Sequence, residues 1–415
     1  MSDTDSLYPM GTLLGDAIPG SPALAQRGTI PAGVRTIQLT QPGQADVLAG
    51  KKDGHYPRYD RTLTVEVWYP ALLRGDEIRA VYTDHLGRVD LENLKPYTIQ
   101  GRAFRDAAPD PEHGPYPVVV LSHGYPGSRM LLVNLAENLS GKGYVVLSIG
   151  HTDNTYEDFP KEGSLESALI HRSLDQRFVI SSLKAMNTEG FLKGMLQPEN
   201  VGLVGFSMGG YGALRTIGAR FSDQALQMAA GYADELVDPE DFRGLPEVKA
   251  AVLFAPAVFW FDAAKSENIT VPTLWICGTA DRTVYYQMVH DFCEKATHSE
   301  RMFVSYEGCG HNVANNPAPA EALGTDWETL KRWADPVWDT LRLNSNNFHF
   351  VTAFLEDRLK GDKSHASWLR PHVSIGRNAV WAIKSDGTEA PEHTYWKGFS
   401  EGTAYGIVIE HFEKE

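Results

Sequence analysis

Apolar residues along this chain gather into short runs that end in polar or glycine-containing loops, and stretches with helical spacing separate most of them. The runs at 34–39 and 63–69 alternate in character, as strands with one solvated face do. Those at 117–121, 144–149, 200–206, 248–255, 273–277 and 302–306 are more continuously apolar, as parallel strands buried on both faces should be. Helical spacing marks 130–140, 166–186, 209–220 and 285–296, then 327–341. It returns at 347–359, where Phe348, Val351, Phe354, Leu355 and Leu359 share a face. Strand alternating with helix predicts an α/β fold, a doubly wound and mostly parallel sheet with helices on both faces.

This core spans 34–362. Residues 1–33 carry glycine and proline punctuation with little periodicity, which reads as an arm wrapping the surface. Residues 363–415 read as an extension packed on this core. Its apolar runs at 379–383 and 406–409 suit two strands flanking a turn at Asp386-Gly387.

Composition narrows the partners. A 42% hydrophobic, 22% charged chain of 415 residues can bury a sizeable core. Its net charge of -15 opposes nucleic acid and anionic membrane surfaces. The longest apolar candidate, 248–261, is interrupted by Lys249 and Pro256, so no membrane insertion is expected. The acidic opening Met1-Ser2-Asp3-Thr4-Asp5 lacks a secretory layout. Cys277, Cys293 and Cys309 have no metal-site spacing and read as reduced thiols, which places the protein in the cytoplasm.

The strongest chemical signal is Gly205-Phe206-Ser207-Met208-Gly209, a G-x-S-x-G element that closes an apolar strand and opens a helix. A serine there sits on a tight turn that only small neighbours tolerate, and the N–H of Met208 at the helix start points at a developing oxyanion. Serine needs a base, and the base needs an orienting acid. With this elbow the acid and then the histidine follow in the chain. Asp281 comes just after the strand at 273–277, and His311 sits in Gly308-Cys309-Gly310-His311 after the strand at 302–306. Asp262 and Glu307 are the competing acids. The second oxyanion donor falls in Leu121-Ser122-His123-Gly124-Tyr125, where Gly124 permits the sharp path and Tyr125 supplies the N–H. His123 is then a structural histidine. Tyr125, Met208, Trp260 and Phe261 can form an apolar acyl or alcohol pocket, or Trp260 and Phe261 are core packing. The loop from His151 to Tyr156 either faces the same cleft or caps the following helix.

The run Leu121 to Arg129, with His123-Gly124 and Ser128-Arg129, and the stretch from Gly143-Tyr144-Val145-Val146 to His151-Thr152-Asp153 resemble the platelet-activating-factor acetylhydrolase and dienelactone-hydrolase-like branch of the α/β-hydrolases. The resemblance covers about 117–362. It implies an α/β-hydrolase fold and a monomeric or loosely associated esterase without a cofactor. It also implies a triad at Ser207, Asp281 and His311, with oxyanion donors at Met208 and Tyr125. A true dienelactone hydrolase has cysteine at the elbow, where this chain has Ser207.

The reading is a serine-dependent carboxylic ester hydrolase acting through an acyl-enzyme on small soluble short-acyl esters. No metal is expected, since no H-E-x-x-H or similar cluster occurs and His290-Asp291-Phe292-Cys293 reads as helix surface. A lactonase, amidase or polyester hydrolase can use the same triad, and an inactive binding protein can share the fold. The short-acyl expectation rests on the bulk of Tyr125, Trp260 and Phe261, and on the acidic residues between Phe221 and Leu245, which make a poor lipid-docking surface.

Overall fold

The computed structural model describes residues 16–87, 94–160, 162–236 and 242–415. Of the acidic residues between Phe221 and Leu245, Asp238, Glu240 and Asp241 lie outside these described residues, as does the start of the chain.

In chain order the strands are β1 (Ala32–Ala45), β2 (Arg58–Leu72), β3 (Arg79–His85), β4 (Pro96–Arg105), the short β5 (Ala108–Pro109) and β6 (Tyr116–Ser122). They continue with β7 (Val145–Gly150), β8 (Leu196–Phe206), β9 (Val248–Phe254), β10 (Thr273–Gly278), β11 (Arg301–Tyr306) and β12 (Ile407–Phe412). They form one sheet in the order β12-β11-β10-β9-β8-β6-β7-β2-β1-β4-β3, with β5 paired to β2 off this path. Among themselves β6 to β11 pair only in parallel, and β7 joins β2 antiparallel. Every residue of β6, β7, β10 and β11 is buried, which a strand achieves only when both faces are covered. This is the expected doubly wound core.

The cover consists of α1 (Val133–Ser140), α2 (Ser164–Thr188), α3 (Met208–Thr216), α4 (Asp223–Met228), α5 (Tyr286–Lys295), α6 (Ala320–Leu323), α7 (Trp327–Leu330) and α8 (Thr340–Leu355). Helices α2 and α3 pack together against β8, while α1 and α8 pack together elsewhere on the sheet. Gly202 of β8 has no side chain where Leu359 and Leu355 press in, since an added Cβ would lie 3.0 and 3.2 Å from their methyl carbons.

Three expectations need correction. The sheet extends through β1 to β4 well beyond the two opening strands, because β3 and β4 alternate buried with exposed positions and carry too few apolar residues to stand out. The helical stretch at 327–341 is broken: Asp326 caps α7, the Asp335 carboxylate accepts the N–H groups of Val337 and Trp338, and Asp339 caps α8. The tail does turn at 384–388, where Lys384 N–H reaches Thr388 O at 2.8 Å, but 379–383 does not pair with 406–409. Instead β12 joins β11 antiparallel. The tail thus completes the sheet edge.

The arm from residue 16 lies across α8 and the tail, with Ala23 N–H on Gly398 O at 2.8 Å and Leu24 N–H on Nδ1 of His349 at 3.3 Å. No helix among the described residues is long and apolar enough to cross a membrane.

Candidate active site

Strand β8 ends at Phe206 and α3 begins at Met208, leaving Ser207 alone in the turn at φ 55° and ψ -116°. Such a sparsely populated backbone conformation costs a residue with a Cβ on the order of 1–3 kcal/mol. The surroundings hold it there: Ser207 N–H donates to Phe254 O at 2.9 Å, and its carbonyl accepts from Tyr211 and Ala257. The glycines are steric requirements. A Cβ on Gly205 would lie 2.3 Å from Gly209 O, and one on Gly209 would lie 2.0 Å from Ser122 O.

The loops after β10 and β11 bring in the partners. Nε2 of His311 lies 3.0 Å from Ser207 Oγ, and Nδ1 lies 2.7 Å from Asp281 Oδ2. The other Asp281 oxygen accepts the N–H groups of Thr283 (2.8 Å) and Val284 (3.2 Å), which fixes the carboxylate. Nδ1–H donates to that carboxylate, so Nε2 is free to accept the serine proton. Gly278 lets the two loops cross, since a Cβ there would meet Cys309 O and Gly310 O at 2.3 Å. The competing acids are occupied elsewhere. Asp262 caps a short turn through Ala264 N–H, and Glu307 pairs with Arg377.

Beside Ser207 runs the loop after β6. An added Cβ on Gly124 would lie 3.1 Å from the Phe206 ring and 3.5 Å from Ser207 Cβ, so this glycine abuts the serine. His123 is buried with both ring nitrogens in use, Nδ1 on Gly124 O at 2.7 Å and Nε2 accepting His151 N–H at 3.2 Å. Burial, then the charge of Arg172, holds it well below the usual histidine range. His151 is equally buried. Its Nε2 lies 2.8 Å from Ser122 Oγ and its Nδ1 2.9 Å from Asp175 Oδ2, while Asp175 also accepts from Arg61 Nε at 2.9 Å. Burial pulls His151 down to about 4. From the His151–Tyr156 loop it is Tyr156 that borders the cleft.

The cleft at Ser207 and His311 holds about 650 Å³. One wall is Tyr125, Pro126 and Tyr156, and the other comes from Trp327, Lys331 and Arg332. The second wall went unread in the sequence. It is tied to the His311 loop by Asn315 Nδ2, which donates to Arg332 O at 2.7 Å, and the sequence signals available were Asp335-Pro336 and the cluster of asparagines after His311.

Trp260 and Phe261 do not line this cleft. After β9 the chain is pinned by Ala257 N–H on Ser207 O, and a Cβ on Gly210 would lie 2.6 Å from Pro256, so residues 259–261 are carried across α3. There Phe261 stacks on Tyr211 at 5.0 Å and packs on Phe221, and Trp260 packs on Phe259. The core-packing alternative fits Phe261. Of the residues in His290-Asp291-Phe292-Cys293, His290 gives Nε2 to Glu410 at 2.8 Å and Cys293 is buried.

A mixed sheet with a parallel centre, a serine elbow at the carboxyl edge of that centre, and histidine and aspartate on later loops is the arrangement of an α/β-hydrolase fold built as a serine hydrolase. Two family models match successive parts of the chain. The model for platelet-activating factor acetylhydrolase, isoform II, matches residues 90–158, and that for serine hydrolase (FSH1) matches residues 181–321, which include Ser207, Asp281 and His311. Among solved structures, a ferulic acid esterase from Streptomyces cinnamoneus is similar over 83% of this chain and 95% of its own, with a TM-score of 0.57 and 21% identity, a likeness of fold. No curated protein sequence matches the chain.

Proposed function

We propose that this chain hydrolyses small, soluble carboxylic esters through an acyl-enzyme on Ser207. The observation that carries the reading is the unbroken Ser207–His311–Asp281 hydrogen-bonded chain at the cleft floor. His311 takes the Ser207 proton as Oγ attacks the ester carbon, and donates it to the leaving alcohol. It then draws a proton from the water that releases the acid. Asp281 holds the ring tautomer and offsets the imidazolium charge. The N–H groups of Met208 and Tyr125 receive the tetrahedral oxyanion.

The cleft supports a small substrate. Its far wall presents Lys331, Arg332 and the rim residue Trp327, a surface suited to polar or aromatic groups more than to a long alkyl chain. The named likenesses are an acetylhydrolase and a ferulic acid esterase, one with a small acyl group and one with an aromatic one. The aromatic alternative is favoured by Tyr125, Tyr156 and Trp327 around the opening. Three buried free thiols suit a reducing, cytoplasmic setting.

A panel of p-nitrophenyl esters of increasing acyl length, with methyl ferulate, lactones, anilides and a soluble polyester, tests this reading. The expected result is the highest kcat/KM for acyl chains of a few carbons or for ferulate, with no activation at an oil–water interface. A preference for long-chain emulsified triglyceride, or for lactone, anilide or polyester, overturns the substrate assignment.

A further inference from the structure

A Cβ on Gly124 would crowd the Phe206 ring at 3.1 Å, a contact glycine avoids, and a glycine is also the residue whose following peptide turns over most easily. The peptide joining Gly124 to Tyr125 carries the proposed oxyanion donor, so something outside the loop has to fix its orientation. Arg172 of α2 is placed to do so. It is fully buried, and its two terminal nitrogens donate to successive carbonyls, His123 O and Gly124 O, the latter at 2.8 Å. Its Nε donates to Asn154 Oδ1 at 2.8 Å, which sets the plane of the guanidinium. Gly124 O accepts a second hydrogen bond from Nδ1 of His123 at 2.7 Å.

The Gly124–Tyr125 bond is trans. In a planar trans peptide the C=O and the N–H point in opposite directions. With the Gly124 carbonyl drawn inward to a buried guanidinium, the Tyr125 N–H faces the other way, where Gly124, Tyr125 and Ser207 border the cleft. We infer that Arg172 is a positioning residue. By holding two consecutive carbonyls it locks the Gly124–Tyr125 peptide with its N–H aimed at the oxyanion. The inference rests on the oxyanion role proposed for Tyr125. A guanidinium suits the task because its planar fork serves two acceptors at fixed spacing, where an ammonium is a single point of charge.

A purely structural arginine would, when lost, lower stability and leave the turnover of the folded enzyme unchanged. A positioning arginine affects kcat. Arg172→Ala and Arg172→Lys, with Tyr125→Pro to delete the N–H itself, are compared on p-nitrophenyl acetate alongside thermal melts. Loss of one oxyanion donor costs roughly 10²–10³ in kcat. Arg172→Ala should approach that loss with KM little changed, regain part of it in millimolar guanidinium, and add little to Tyr125→Pro. Arg172→Lys should fall between. A folded Arg172 variant with wild-type kcat, while Tyr125→Pro is crippled, overturns the positioning role alone. Wild-type kcat in Tyr125→Pro removes the oxyanion reading beneath it. If no Arg172 variant folds, a crystal structure of the phosphonylated wild-type protein decides. A phosphonyl oxygen about 2.7–3.1 Å from Tyr125 N, with Gly124 O still on Arg172, is expected. A turned peptide is the contrary result.

Discussion

Ser122 Oγ stands 2.8 Å from Nε2 of His151, the same relation that Ser207 Oγ has to Nε2 of His311 at 3.0 Å. Each histidine also gives Nδ1 to an aspartate, Asp175 in one case and Asp281 in the other. The atoms match, and the environments differ. Ser122 and His151 have no exposed surface, and Asp175 is held ionised by Arg61. Ser207 and His311 open on the cleft. A nucleophile without access to substrate is scaffolding, and the buried set lies behind the loop that carries Tyr125.

Ser122→Ala should therefore leave kcat within a few-fold of wild type while lowering stability by about 1–3 kcal/mol, since Nε2 of His151 loses its donor in a dry site. Kinetics and urea unfolding of one preparation measure both. A loss of turnover with stability intact would place Ser122 in the chemistry.

Ser207→Ala and His311→Ala should each lower kcat by roughly 10⁴ to 10⁶, with the double variant little worse, because the residues act as a unit. Asp281→Asn should also be severe, since an amide can favour the wrong imidazole tautomer. A mild Asp281→Asn beside a crippling Asp262→Asn or Glu307→Gln would reassign the acid.

The elbow was legible in the sequence because its demands are local: Gly205, Ser207 and Gly209 lie within five residues, and each glycine answers a contact under 3 Å. Asp281 and His311 were legible as candidates because strand ends locate loops at the sheet edge. The pocket was not. Trp260 and Phe261 are close to the elbow in connectivity, but which side of α3 the chain takes after β9 depends on Pro256 meeting Gly210, a long-range fit with no sequence pattern. The Trp327–Arg332 wall was hidden for the related reason that caps at Asp326 and Asp339 break what reads as one amphipathic helix. Arg172 was invisible because it sits within a helix, and its acceptors are carbonyls of a distant loop.

Attack by Ser207 requires His311 as the neutral imidazole. kcat/KM for p-nitrophenyl acetate should then be lower in acid, where a histidine base is protonated, than at neutral pH. A stopped-flow pH series measures it, and a rate that falls with pH over that range contradicts a histidine base.

Stability should show an opposite trend at one buried carboxyl. Asp84 accepts His85 N–H at 2.8 Å and the Tyr97 hydroxyl at 3.3 Å, but burial pushes it up to about 7. The folded protein thus holds this proton more tightly than the unfolded chain, whose aspartates titrate near about 3.9. The associated stability is fully present below about pH 4 and is lost as pH rises towards 7, by ~4 kcal/mol at most. Relative to wild type, Asp84→Asn should gain stability steadily across that window in urea midpoints. Parallel profiles would show that Asp84 is ionised in the fold.

The central claim, that Ser207 is the nucleophile, is tested most directly by treating the native protein with a fluorophosphonate and locating the adduct by intact mass and peptide mapping. One adduct per chain, on Ser207 and absent in Ser207→Ala, is the predicted result. No adduct on the folded wild-type protein, or an adduct on Ser122 that survives in Ser207→Ala, would contradict it.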